Sequence, residues 1–483
     1  MAGIGFELKG LFKKKGLFAI FRAYGYAGII TTGPMLLGVL LLLGVMYLAR
    51  LSGVGGHEQD LLICMITYTL LASLMATSCF SMVTTRFIAD MIYEERLGVI
   101  LNSFYGACCL MLLMGGLAYG IFLCVARIPV TYIVLNFILF CQLIVVWTAM
   151  NYLTAIKDYR GILLSFLAAV AAAFLCGYLA MQVLPDKVAA LLFGVCCGYG
   201  LMMIADVALM HRYFPLEKGS CFYFLRWFDE YRLLAYVGLF INLGLFTHLV
   251  IMWFGPVGEQ VQGLFYGAPS HDVPALLAFM SILITTVNFV VSVEVNFYPK
   301  YRLYYSLFND RGSIKDIMQA EDEMLTVLNN ELTYTARKQL YLTALLLSIG
   351  VLVLERLPLG FSDRMEGYFR ILCVGYGLYA IGNTMMLILL YFTDYKGAFA
   401  ACGAFALVAT AGTLFSLSFS PAFFGFGFTA GCAVFFVTAW LRLEYFTRKL
   451  PYHILSTQPV IASVRRGIFT KLSEFLEGRE QRG

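Results

Sequence analysis

Apolar residues run in a dozen stretches of roughly the length that crosses a bilayer, divided by short charged or turn-forming segments. A span needs about 20 largely apolar residues. Stretches of that kind occupy 24–49, 61–85, 99–126, 130–156, 161–184, 188–210, 233–254, 274–298, 338–357, 368–392, 396–416 and 421–446. The weakest separations are the Arg127–Pro129 and Asp394–Lys396 turns, and merging either pair would give one implausibly long helix. Charged residues are only 13% of the chain, too few to cover a water-soluble body of this size. The fold class expected is an all-α integral membrane protein with about 12 transmembrane helices.

Basic residues orient these spans. With the N-terminus inside, the outer side keeps only Arg50, Arg127, Lys187, Arg356, Arg364 and Arg370 of the 34 Lys and Arg. That asymmetry places both termini in the cytoplasm. Residues 1–22 carry Lys9, Lys13, Lys14, Lys15 and Arg22 among Leu and Phe, and read as an amphipathic basic helix at the interface. No cleavable signal is apparent, because the apolar run that follows is long enough to span. The net charge of +5 is spread through short loops and does not point to nucleic acid.

The expected organisation is an N-lobe over 23–210, a cytoplasmic link over 211–232 and a C-lobe over 233–447. A cytoplasmic loop covers 299–337, and the tail covers 448–483. Arg22, Tyr26 and Gly28 lead the first span, and Arg232, Tyr236 and Gly238 lead the seventh with the same spacing. Arg86-Phe87 and Asn296-Phe297 close the second and eighth spans in the same register. Two parallel six-helix repeats follow from this pattern.

No loop is long enough for a catalytic domain, and the Walker A, G-x-S-x-G and H-E-x-x-H patterns are absent from the sequence. Neither metal nor cofactor is expected: the thirteen Cys form no C-x-x-C, and twelve lie in apolar runs as small hydrophobes. An ionisable group within a span costs about 2.5–3.5 kcal/mol on insertion scales, so each needs a reason. Glu294 is the sharpest case, with two open readings: a carboxylate contacting substrate or carrying a proton, or half of a structural ion pair. Arg86 and Asp90, four apart, share a helical face and neutralise one another. Asp206 stands near His211 and Arg212 as a candidate partner. Asn242, Asn296 and Asn383 supply neutral polar groups, and His248 is the one residue that a membrane-embedded transferase could use. Gly33-Pro34 marks an expected kink in the first span, either a gate or a static bend.

Several segments carry a resemblance. They are Met1-Ala-Gly-Ile-Gly-Phe-Glu-Leu8, Arg22-Ala-Tyr24 with Thr31-Thr-Gly33-Pro34, and Thr85-Arg86-Phe87-Ile-Ala-Asp90. Glu294-Val-Asn-Phe297-Tyr298, Tyr391-Phe-Thr-Asp394-Tyr-Lys396 and Gln458-Pro459 join them. Together they resemble the PelG family of Pel exopolysaccharide exporters, over nearly the whole length. The resemblance implies a fold of the multidrug/oligosaccharidyl-lipid/polysaccharide exporter superfamily, two six-helix lobes around a central cavity. It implies translocation of an N-acetylgalactosamine-rich, partly deacetylated polymer for the biofilm matrix. It also implies a PelF-like cytoplasmic glycosyltransferase, a PelD-like cyclic di-GMP receptor and PelE-like membrane proteins as partners. The alternative is a lipid-linked oligosaccharide flippase or an ion-coupled drug exporter of the same fold.

Overall fold

The computed structural model describes residues 17–156, 158–217, 219–309, 312–356, 361–457 and 466–480. The basic segment expected over 1–22 lies mostly outside the described residues, as do Lys157 and the Gln458-Pro459 pair.

The chain is helical nearly throughout. Helices α1 (Leu17–Leu51), α2 (Gly56–Tyr93), α3 (Gly98–Val125), α4 (Val130–Ala155), α5 (Tyr159–Val183) and α6 (Lys187–Tyr213) form the first half. A short helix α7 (Arg226–Glu230) precedes α8 (Arg232–Trp253). A small hairpin, β1 (Glu259–Gln262) and β2 (Phe265–Gly267), then leads to α9 (Pro269–Phe279) and α10 (Leu283–Val291). A π-helical stretch, Ser292–Phe297, runs into α11 (Tyr298–Asn309). The long α12 (Ile314–Leu345) continues through a second π-helical turn into α13 (Val351–Arg356). After it come α14 (Asp363–Tyr391), α15 (Tyr395–Ser416), α16 (Phe426–Thr447), α17 (Leu450–Thr457) and α18 (Ile468–Glu480).

Among the described residues, ten helices are long and apolar enough to cross a membrane. The two other expected spans, 24–49 and 338–357, fall on α1 and on the continuous helix from α12 to α13. About twelve crossings therefore remain the count. Both weak separations are real breaks. Arg127 and Thr393 adopt left-handed backbone at φ 56° and 61°, a conformation a helix cannot continue through.

The turns before α5 and α15 are built alike. Asp158-Tyr-Arg-Gly161 and Asp394-Tyr-Lys-Gly397 each place an aspartate at the N-cap, accepting from the glycine N–H at 3.0 and 3.1 Å. A Cβ on either glycine would lie within 2.5 Å of that carboxylate, so the pattern needs Gly. This second trace of the repeat is local capping chemistry, and hydropathy does not show it.

The chain divides into two compact units. One holds Gly33–Phe246, Gly258–Ala268 and the described tail from Arg466; the other holds the described residues up to Thr32, then Thr247–Val257 and Pro269 to Thr457. The division falls inside α1 and α8, and the link 211–232 belongs to the first unit. α1 runs as continuous helix through Gly33-Pro34.

Within the first unit α5 packs closely against α6, where small residues let backbones touch. A Cβ on Gly194 would lie 2.5 Å from the Cα of Gly177, and one on Gly198 would lie 2.6 Å from the Ala169 carbonyl oxygen. The second unit repeats the device. Gly427 and Gly431 of α16 sit as closely against Gly412 and Ala409 of α15. Lipid supplies no hydrophobic drive between helices, so such contact is what joins them. Several core polar groups of the first unit are paired. Thr69 Oγ1 lies 2.8 Å from Tyr119 Oη and donates to Asn136 Oδ1 at 3.0 Å, while Trp147 Nε1 donates to Ser73 Oγ at 2.9 Å.

The hairpin went unforeseen in the apolar pattern. Gly263 supplies its left-handed turn at φ +58°, and Leu264 N donates to the Ala126 carbonyl oxygen at 3.2 Å. Tyr68 Oη donates to the Tyr266 carbonyl oxygen at 3.1 Å and accepts from Tyr266 N at 3.2 Å.

Gly194→Val should separate α5 from α6 at a cost of about 1–3 kcal/mol. In detergent the variant should melt several degrees lower; an unchanged melting temperature would refute this packing.

Candidate functional site

In the second unit, polar side chains form a ladder where α10 and the π-helical stretch pack along α12. Thr285 Oγ1 donates to Gln339 Oε1, and Gln339 Nε2 donates to Thr343 Oγ1 at 3.3 Å. One step inward, Asn288 Nδ2 donates to Thr335 Oγ1 at 2.6 Å, and Asn288 Oδ1 accepts from Lys338 Nζ at 2.8 Å. Lys338 also lies 4.2 Å above the Tyr334 ring. The next rung joins Asn296 Nδ2 to Glu331 Oε1 at 2.6 Å, and Lys300 pairs with Glu323 at 2.7 Å beyond it. Thr285, Asn288, Thr335 and Gln339 are buried, so their bonds hold helix to helix. Asn296 is exposed, and Glu331 and Lys338 are half-buried, so this lower part of the ladder can meet a ligand.

The π-helical stretch carries both Glu294 and Asn296. A π turn widens the helix and loosens its backbone bonding, and such turns recur at functional sites. The Glu294 side chain lies outside what the structure describes; its backbone stands on that turn. Sequence reading reached Glu294 and Asn296 but passed over Lys338, Thr335 and Gln339. The available signal was helical spacing: Glu331, Thr335 and Lys338 recur every three or four residues along one face of α12.

The other residues singled out from sequence do not join this ladder. In the first unit, Arg86 Nη2 and Asp90 Oδ1 form an ion pair at 2.9 Å. Asp90 Oδ2 also accepts from Trp227 Nε1 at 2.9 Å, and the Arg86 guanidinium lies 5.4 Å from the Tyr231 ring centre. The pair therefore anchors the link to the end of α2. Asp206 is fully buried against Ser165, while His211 Nε2 lies 2.6 Å from Tyr105 Oη instead. Asn242 Nδ2 donates to the Gly238 carbonyl oxygen of its own helix at 2.9 Å. Asn383 is half-buried on α14. Gly33 is buried, and the Pro34 side chain lies outside the described residues.

His248 is buried against Phe428 at 4.2 Å between ring centres, with Nε2 3.3 Å from Tyr376 Oη. His271 stands 5.3 Å away, ring to ring. This packing suits a core histidine rather than an accessible general base.

The tail holds a contact that sequence reading did not foresee. Asp229 of α7 accepts from Gly467 N, Phe469 N, Thr470 N and Thr470 Oγ1, at 3.1, 3.3, 2.7 and 2.7 Å. It thus caps α18 from another part of the chain. Arg226 adds an ion pair to Glu477 at 2.9 Å, and Ser473 Oγ donates to the Phe222 carbonyl oxygen at 3.1 Å. Burial pushes the Asp229 carboxyl up, but its hydrogen bonds with Thr470, Phe469 and Gly467 together outweigh this and hold it below the ordinary range. The docking is therefore complete above the usual Asp value of about 3.9 and is lost as pH falls through the depressed one. At neutral pH, Asp229→Ala should raise amide exchange in 467–480 at least tenfold, equivalent to about 1.4 kcal/mol of lost protection. Unchanged exchange would show that the tail helix is held by other contacts.

Solved structures of low sequence identity share the fold. An outward-facing multidrug resistance MATE family transporter of the MOP superfamily is 12% identical with a TM-score of 0.57, covering 89% of this chain and 97% of its own. A MOP superfamily transporter from Pyrococcus furiosus is 11% identical with a TM-score of 0.57, covering 88% and 96%. The eukaryotic MATE transporter AtDTX14 is 12% identical with a TM-score of 0.54, covering 95% and 99%. Among curated proteins, nothing matches the chain. The PelG family profile, described as "Putative exopolysaccharide Exporter (EPS-E)", matches residues 1–455. With helices of membrane-spanning length, a transporter fold and that match over nearly its whole length, the chain belongs to the PelG exopolysaccharide exporter family.

Proposed function

We propose that this protein is the cytoplasmic-membrane subunit that carries a Pel-type amino-sugar polymer outward, with both termini in the cytoplasm. The polymer is N-acetylgalactosamine-rich and partly deacetylated, and it is handed over by a cytoplasmic glycosyltransferase. The protein itself is not an enzyme: it binds and conducts. The observation that carries the reading is the family match over residues 1–455 on a transporter fold.

The chemistry of the ladder supports it. Asn296, Glu331 and Lys338 offer an amide, a carboxylate and an ammonium along one accessible edge. Hydroxyl and acetamido groups of a sugar chain are met by such neutral and charged donors and acceptors, and a free amine on a deacetylated residue is met by Glu331. The steep excess of bases on one side of the spans supports cytoplasmic termini. The cyclic di-GMP receptor and further membrane proteins complete the assembly in this reading.

The test is isolation of the tagged full-length chain from polymer-producing cells in mild detergent. A cytoplasmic glycosyltransferase should be retained with it, and polymer should be recovered from the complex. Isolation of the chain without either, while polymer is being secreted, would contradict the reading.

A further inference from the structure

Asp206 has no place in the ladder, and it is a fully buried carboxylate with one hydrogen bond among the described residues. It is fully buried in α6, about two turns before the helix ends. Oδ1 lies 2.6 Å from Ser165 Oγ on α5, and Oδ2 has no hydrogen-bond partner among the described residues. Ser165 Oγ also stands 2.9 Å from the carbonyl oxygen of Ile162. A serine has one hydroxyl hydrogen, and two acceptors compete for it here. If Asp206 were ionised, the Ser165 hydroxyl could serve only one carboxylate oxygen, and Oδ2 would be a charged acceptor left unmet. If Asp206 keeps its proton, it donates to Ser165 Oγ and Ser165 donates to Ile162, so every hydrogen is used.

The internal repeat sharpens this. Asp158 and Asp394 cap equivalent turns, and Arg442 lies 48 residues after Asp394, bound to it through Nε at 2.6 Å and Nη2 at 2.9 Å. Asp206 lies at the same 48-residue interval after Asp158. One half places a cation at this position, and the other places a second acid. Among the described residues, Asp206 forms no ion pair. Asp158 is a like charge that bears on it. From α4, Gln142 lies against Gly200, and on α6 itself Tyr199 is buried while His211 is engaged with Tyr105. Removing an ionised carboxylate from water for one hydroxyl partner and an acidic neighbour costs far more than that single bond returns.

We propose that Asp206 is a proton-binding site: a neutral carboxylic acid in this conformation, which releases its proton to water when a conformational change admits water between α5 and α6. In that step the Asp206 O–H bond breaks and the proton passes to a water molecule. The Ser165 hydroxyl then turns from Ile162 to the carboxylate. A role in driving export rests on the transporter reading; the protonation itself does not.

Infrared difference spectroscopy of the purified full-length protein across a pH titration tests it. A carbonyl band of a protonated carboxylic acid should be present at neutral pH, shifted in Asp206→Glu and missing in Asp206→Asn. The Asn amide can donate to Ser165 as the neutral acid does, so Asp206→Asn should keep the wild-type melting temperature while polymer export falls at least tenfold. Absence of the band at neutral pH overturns the proposal whatever the transported substrate is. Wild-type export by Asp206→Asn overturns the part that proton release plays in export, since the acid would then be a fixed strut.

Discussion

Every backbone N–H and C=O that the chain carries into lipid must find its partner within the chain, and most polar side chains do too, because the bilayer core has no water to offer. This requirement governs the structure at each level. It makes the spans helical, and it puts capping aspartates at the starts of α5, α6 and α15, where free N–H groups would otherwise be left. It also explains why Asn288 is bonded to both Thr335 and Lys338 rather than left exposed among apolar neighbours. Close glycine contacts within each unit then supply the attraction between helices that water would supply elsewhere.

The same requirement separates structural from functional polarity. The buried rungs at Thr285, Asn288 and Gln339 are spent on joining α10 to α12. The Arg86–Asp90 pair is spent on docking the link, through Trp227 and Tyr231. The accessible edge at Asn296, Glu331 and Lys338 is therefore the better place to look for a saccharide contact. The π-helical stretch that carries Asn296 is the local departure from regular helix within that span.

Much of the fold was legible in the sequence because hydropathy has a length scale set by the membrane. The positions of the spans, and the breaks at Arg127 and Thr393, followed from that scale. The π turns did not, since apolar content is blind to one extra residue in a helical turn. The tail contact was equally hidden: Asp229 and Thr470 lie 241 positions apart, and nothing in their local sequence announces a cap supplied from a distance. In the candidate site, Glu294 and Asn296 stood out as polar residues in an apolar run. Lys338 did not, because at the edge of its span a basic residue reads as an ordinary interfacial charge. Asp206 was noticed for its charge, but its partner Ser165 could be found only in three dimensions.

The central claim is that this chain carries an amino-sugar polymer across the cytoplasmic membrane. Deleting its gene in a polymer-producing strain and measuring N-acetylgalactosamine-rich polymer inside and outside the cells tests that claim most directly. The account predicts loss of surface polymer, restored by the intact chain. Undiminished surface polymer in the deleted strain would contradict it.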